Sequence, residues 1–298
     1  MIKRTLYFGN PAYLKTKDEQ LVFENIDSGE TKTLPIEDIG VLILDHQQIT
    51  ISQALIAKLL ANNVAFITCD NSHHPTGMML NLDGNTLQSQ KFQAQVEASV
   101  PLKKQLWQQT IGCKINNQAS LLETTRIPVK NMRNWASEVK SGDSENHEAV
   151  AAVYYWKNIF QLFPTFKRER FGEPPNNLLN YGYAILRAVV ARNLVASGLL
   201  PTLGIFHKNQ YNAYCLADDI MEPYRPFVDK VVLNIVNLNG QFLELSPNMK
   251  KELLNIPVMD VMINEEKSPL MVAVQKTTAS LVKCFEGKQR KILYPEFV

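Results

Sequence analysis

One histidine and three carboxylates cluster in the second half of the chain. His207 follows the apolar turn Leu203-Gly204-Ile205-Phe206, and Asp218, Asp219 and Glu222 come about one helix later. On a helix, Asp219 and Glu222 (i, i+3) share a face, and Asp218 and Glu222 (i, i+4) lie on neighbouring rows. Carboxylates this close repel one another unless a cation sits between them. One imidazole with several carboxylates suits Mg2+ or Mn2+, and Mn2+ is the more tolerant of nitrogen. The same spacing also describes a surface turn salt-bridged to Arg225, or acids at a helix terminus. A second group is Gly142-Asp143-Ser144-Glu145-Asn146-His147-Glu148. Asp143 or Ser144 can cap a helix, which makes Asp143 and Glu145 ordinary first-turn acids. Glu148 differs, because the apolar run Ala149 to Val153 follows it. Its carboxylate either faces solvent or is held inside by a cation. Lys167, Arg168 and Arg170 lie between Phe166 and Phe171, Arg187 and Arg192 lie along an apolar stretch, and Lys208 follows His207. Such bases can neutralise phosphates, although each taken alone is equally an ordinary solvated base. His46, His73, His74 and His147 are read as structural.

The elements that must position these residues change character along the chain. Residues 5–8, 31–34, 41–44 and 64–68 read as strands, and 12–14 with 20–23 as a hairpin around a polar segment. Residues 52–61 have helical spacing, with Leu55, Ile56, Leu59 and Leu60 on one face. Beyond about residue 88 the apolar period moves to 3.6. Helices are expected over 101–122, 142–163 and 177–197, the last closed by Gly198, and again from Ser268-Pro269 to Gly287. Residues 288–298 read as a docking tail. The expectation is an α+β protein. A small N-terminal, mostly-β domain (residues 1–85) precedes a larger all-α domain (residues 86–298), joined by a turn-rich stretch near 80–90.

The 298 residues are 45% hydrophobic and 20% charged, which fits a globular chain. The net charge of +2 conceals a split: residues 1–85 carry −4 and residues 86–298 carry +6. A basic helical half admits a polyanion partner, and so does an ordinary solvated surface. The N-terminus shows no secretory pattern. The stretch 185–206 is interrupted by Arg187 and Arg192 and reads as a buried helix, so no membrane partner is expected. Cys69, Cys113, Cys215 and Cys284 form no C-x-x-C pair, and reduced thiols in a cytoplasmic protein are expected. No G-x-x-x-x-G-K-[ST], G-x-G-x-x-G or G-x-S-x-G motif is present.

Taken together the segments resemble the CRISPR-associated spacer-acquisition integrase family, over essentially the whole chain. The resemblance is carried by Arg4-Thr5-Leu6-Tyr7 with Pro11-Ala12-Tyr13-Leu14, Pro35-Ile36-Glu37-Asp38-Ile39, and the His73-His74-Pro75-Thr76-Gly77 turn. It continues in Gln105-Leu106-Trp107-Gln108-Gln109 with Lys114-Ile115-Asn116-Asn117-Gln118, and in Asn180-Tyr181-Gly182-Tyr183-Ala184. Asn146-His147-Glu148-Ala149 fits the motif of the first metal ligand, with Ala149 where the family often has Gly. Leu203-Gly204-Ile205-Phe206-His207 and Leu216-Ala217-Asp218-Asp219-Ile220-Met221-Glu222-Pro223-Tyr224-Arg225-Pro226 are the most specific. The form looks most like the branch that accompanies single-protein RNA-guided effectors (type II).

The resemblance implies a metal-dependent DNA integrase and endonuclease that inserts spacers into a CRISPR array. Glu148, His207 and Glu222 would be the catalytic metal ligands for Mg2+ or Mn2+. Asp219 would take an additional acidic position, and Asp218 would stand outside it. Lys167, Arg168, Arg170, Arg187, Lys208 and Arg225 are candidates for DNA phosphates. Implied partners are double-stranded DNA (prespacer and repeat), a second copy bound through the β domain, and a small ferredoxin-fold companion in a heterohexamer. The type II effector nuclease and an auxiliary adaptation protein are further expected partners. The alternatives are a metal-dependent branched-DNA repair nuclease, and a helical DNA-binding scaffold whose acids are salt-bridge partners.

Overall fold

The computed structural model describes residues 3–71, 73–240 and 242–297. The chain begins with strands β1 (Arg4–Phe8), β2 (Ala12–Lys17), β3 (Gln20–Asn25), β4 (Thr31–Pro35), β5 (Ile39–Leu44) and β6 (Ile49–Ile51). Helix α1 (Gln53–Ala61) and strands β7 (Ala65–Cys69) and β8 (Pro75–Met79) follow. One four-stranded sheet has the order β1-β5-β7-β8, parallel except for β8, and the other has the order β4-β3-β2-β6. The hairpin turns at Asp18 and Glu19, both with positive φ. The stretch around His73 to Gly77, read as a turn, supplies strand β8 instead. Gly77 suits that close pairing, because a Cβ there would stand 2.4 Å from Thr68 Oγ1.

Strand β5 is apolar at every position because both its faces are covered. Leu42 packs with Leu14, Leu21, Leu55 and Leu59 between the sheets and α1. Val41 and Ile43, pointing the opposite way, join the main core with the helices. The strand-rich and helical regions are therefore fastened through this central sheet.

The helical region comprises α2 (Gln88–Glu97), α3 (Val100–Thr124), α4 (Lys130–Glu138), α5 (His147–Ile159), α6 (Asn176–Ala196), α7 (Cys215–Met221), α8 (Arg225–Asn239), α9 (Pro247–Leu254) and α10 (Leu270–Phe285). Helix α6 is buried on nearly every side, which explains its apolar sequence. Gly182 lets α8 approach, since a Cβ there would meet Val228 Cγ1 at 2.5 Å. The helix ends as expected at Gly198 (φ +80°), with Leu199 N donating to Leu194 O and Gly198 N to Val195 O. The helical region also carries a two-stranded ribbon, β9 (Asp260–Ile263) and β10 (Glu266–Pro269), turning at Asn264 and Glu265 with positive φ. Ser268 and Pro269 thus end a strand, and no side chain caps α10. The tail docks as expected: Tyr294 Oη bonds Thr110 Oγ1 (2.8 Å) and Phe297 stacks on Phe227.

A buried ion pair also joins the regions. Asp45, just after β5, receives Lys250 Nζ from α9 at 2.8 Å and the Tyr7 hydroxyl at 2.5 Å, and pairs with His73 Nδ1 at 2.9 Å. All four cysteines are free thiols. Among the described residues no helix is long and apolar enough to cross a membrane.

Candidate active site

Four segments of the helical region converge on two carboxylates. Glu148 sits in the first turn of α5, and that helix start is built by Asp143, whose carboxylate accepts from His147 N (2.9 Å) and Glu148 N (3.0 Å). Glu222 opens the tight turn Glu222–Tyr224 between α7 and α8 and is buried. Between them stands Lys114 of α3, with its ammonium 2.6 Å from Glu148 Oε1 and 2.7 Å from Glu222 Oε2. Arg225 Nε holds the other Glu222 oxygen at 2.8 Å, and the guanidinium lies over the Tyr183 ring. Burial alone would raise the Glu222 carboxyl, but the Arg225 and Lys114 charges together hold it down to about 2. Burial likewise opposes charge on Lys114, and the two carboxylates reverse that and raise it.

His207 is held by Asp219. The fully buried Asp219 carboxylate accepts from Phe206 N (2.9 Å) and His207 N (3.3 Å) and bonds His207 Nδ1. That bond raises the imidazole pKa against burial, with Glu222 and Glu148 adding to the effect, so the ring lies in the field of both carboxylates. Burial raises the Asp219 carboxyl. Gly204 permits the wrap, because a Cβ there would sit 2.5 Å from His207 O and 2.7 Å from Asp219 Oδ2. Phe206 stacks on Trp107 of α3 with ring centroids 4.2 Å apart, and His207 meets the same indole edge-on.

The expected site residues therefore fall into distinct environments. Glu148, Glu222 and His207 share one electrostatic neighbourhood. Asp219 spends both oxygens on the His207 loop and leaves Nε2 as the ring's remaining nitrogen. Asp218 stands aside, bonded to Arg187 Nε and to Asn212 Nδ2, each at 2.7 Å. Of the candidate phosphate contacts, Arg187 and Arg225 are in ion pairs. Arg168 braces the chain before α6 by donating to Glu169 O, Asn176 Oδ1 and Asn180 Oδ1. Lys167, Arg170 and Lys208 are exposed.

The donor chemistry suits a divalent cation: two carboxylates aim at one cation position and an imidazole faces the same field. Among the described residues, however, no three His, Cys, Asp or Glu side chains are gathered as a metal cage. The Lys114 ammonium lies between the two carboxylates a metal would use. The two readings of Glu148 as solvent-facing or cation-held thus resolve to a protein cation in this structure.

Sequence reading missed Lys114 as a site residue, although a lysine between Ile111 and Ile115 on a buried helix face was a visible signal. It also missed Asp229 of α8, whose carboxylate receives the Tyr155 hydroxyl (2.7 Å) and the Tyr183 hydroxyl (2.5 Å) beneath Arg225. Burial pushes that carboxyl up to about 6. An acid inside Phe227-Val228-Asp229-Lys230-Val231-Val232 was the available clue.

Comparison with known proteins places the chain. Residues 6–244 match the family described as "CRISPR associated protein Cas1". The chain belongs to the Cas1 family. It is 35% identical over 299 residues to the "CRISPR-associated endonuclease Cas1" of Neisseria meningitidis serogroup C, covering 98% of this chain and 95% of the relative. Two solved structures share the fold. A casposase bound to its integration product has a TM-score of 0.82 at 19% identity, covering 98% of this chain and 92% of the casposase. A chain of a Cas6-RT-Cas1–Cas2 complex has a TM-score of 0.77 at 19% identity, covering 97% of this chain and 35% of the larger one.

Proposed function

We propose that this chain is a divalent-metal-dependent DNA integrase and endonuclease that joins new spacers to a CRISPR array. The observation that carries the reading is the convergence of Glu148 and Glu222 on one cation position, with His207 held in their field by Asp219. The casposase neighbour, solved with an integration product, supports strand transfer on this fold.

Glu148, Glu222 and His207 Nε2 would hold Mg2+ or Mn2+. A bound divalent ion lowers the pKa of a DNA 3′-hydroxyl and offsets charge building on the phosphoryl oxygens. The 3′-oxygen forms a bond to the phosphorus at the 5′ end of a repeat strand, and the bond from that phosphorus to the 3′-oxygen of the flanking DNA breaks. The leaving 3′-oxygen takes a proton, so phosphodiester bonds are conserved. Arg225 keeps the Glu222 carboxylate ionised and fixed. Asp219 fixes the imidazole, which removes a rotational cost at the moment of reaction. Lys167, Arg170 and Lys208, being exposed, are placed to meet DNA phosphates. With water as nucleophile, the same site cleaves branched DNA.

The reading extends to a homodimer through the β-rich region, two such dimers flanking a dimer of a small ferredoxin-fold companion. Chains of this fold occur with Cas2 in the complex named above. The type II effector nuclease and an auxiliary adaptation protein complete the set of proposed partners, and the cytoplasm is the proposed compartment.

The test is half-site integration on a supercoiled repeat target with the companion present. Joining of labelled prespacer strands is expected. Cleavage of branched DNA without joining would instead assign a repair nuclease. Full metal-dependent activity in both Glu148→Ala and His207→Ala would overturn the site assignment, and no joining or cleavage by the parent chain would leave a DNA-binding scaffold.

A further inference from the structure

A polar cavity of about 560 Å3 opens where the strand-rich and helical regions meet at the C-terminal end of α6. None of its lining residues belongs to the candidate catalytic set. Its charge is one-sided. Lys3, Lys91, Arg192 and Lys283 line it, while the acid among its described lining residues, Glu286, ion-pairs with Lys288 at 2.8 Å.

Arg192 is the most informative member. The residue is only 9% exposed, and its Nε donates to the backbone carbonyl of Asn63. No carboxylate among the described residues ion-pairs with it, and burial alone pushes its guanidinium down to about 10. Buried charges are ordinarily paired. Lys3 is lowered as well, first by burial and then by the Arg192 charge, with Asp38 and Glu37 only partly offsetting this. Lys3 Nζ donates to Asn62 O at 3.2 Å and Lys91 Nζ to Asn85 Oδ1 at 3.1 Å, both neutral oxygens. Like charges are thus held together over a cavity whose described lining acid is paired with Lys288, with Asp38 and Glu37 offsetting Lys3 only in part.

We infer that this cavity binds a small phosphorylated anion of nucleotide size. The volume lies in the range of small-ligand sites, and a guanidinium fork suits phosphate oxygens. By exposure, Arg192 is the innermost cation and Lys283 the outermost. A slender ligand can bring a phosphate down to Arg192, whereas a duplex rod meets the rim first. Lys3 and Asn63 come from the strand-rich region and Arg192 and Lys283 from the helical one, so an occupant ties the two regions together. The site is independent of the metal-dependent chemistry proposed above.

The test uses the full-length protein in metal-free buffer, with pyrophosphate and ADP as probes and sulfate at matched ionic strength as the control. Isothermal titration is expected to give saturable pyrophosphate binding with a sub-millimolar Kd. Lys283→Glu and Lys91→Ala, both outside the buried floor, are expected to weaken it at least tenfold, and Glu148→Gln to leave it unchanged. Arg192→Gln is a supporting variant only, because its burial puts folding at risk. Absence of saturable binding overturns the inference, as does binding unaffected by both lysine changes. Loss of duplex-DNA binding in Lys283→Glu with pyrophosphate binding intact also overturns it and assigns these lysines to the DNA backbone. Because the readout is binding without divalent metal, failure here leaves the strand-transfer reading untouched.

Discussion

Lys114→Met removes the one charge that Glu148 and Glu222 share. Both ion pairs are short, at 2.6 and 2.7 Å, and Glu222 is buried, so its carboxylate cannot recover the loss from water. Its displacement from 4.5 to about 2 corresponds to about 3 kcal/mol of net favourable interaction after the cost of burial, to which Arg225, Lys114 and, less, His207 contribute. Removing one partner of a buried pair typically costs about 3–5 kcal/mol. Glu148 is a quarter exposed and can turn to solvent, which places the expected loss near the lower figure. For a chain of this length that is a fall in Tm of about 5 °C. Arg225 still holds one Glu222 oxygen, but the position between Glu148 Oε1 and Glu222 Oε2 loses its cation, and a divalent ion can fill it. Differential scanning calorimetry with and without Mn2+ reads both effects. The expected result is a destabilised apo variant that Mn2+ stabilises more than it stabilises the unmodified protein. An apo variant as stable as the parent, or equal Mn2+ shifts in both, would show that Lys114 does not hold the cation position between the two carboxylates.

Other expectations follow from the same geometry. The Asp45 carboxyl would be raised by burial, but its bonds from Lys250, Tyr7 and His73 hold it below the usual range. A carboxyl depressed on folding stabilises above its unfolded pKa, and that stability fades as pH falls toward the folded one. Urea unfolding from pH 6 to pH 3 should therefore show an acid-side loss that is flatter in Asp45→Asn. Asp219→Asn weakens the hold on His207 and should lower strand transfer about 10–100-fold, the usual range for a residue that orients a ligand. Its Mn2+ affinity, measured separately, should fall in parallel. Gly204→Ala drives a methyl against His207 O and Asp219 Oδ2, so activity should fall sharply while circular dichroism stays unchanged.

Much of the architecture was legible because local pattern and burial agree. The run Val41 to Leu44 is apolar on both faces because two cores lie against it. Helix α6 and its Gly198 ending were readable from period and capping alone. Strand β8 was not, because Pro75 and Gly77 are turn residues by propensity and only pairing with β7 makes them a strand. Ser268-Pro269 carries a helix-start signature, but pairing with Val261 and Asp260 claims it first. In the site, the acids and His207 were visible by type and spacing. Their division of labour was not. Whether Asp219 faces the His207 loop, and that Lys114 fills the gap between Glu148 and Glu222, depends on contacts between elements distant in sequence.

The most direct measurement follows a labelled DNA 3′ end into a supercoiled repeat target, comparing the parent chain with Glu148→Gln and Glu222→Gln in Mg2+ or Mn2+. The proposed ligand set predicts covalent transfer by the parent, and loss of transfer in both variants while duplex binding persists. Undiminished transfer in either variant would contradict it.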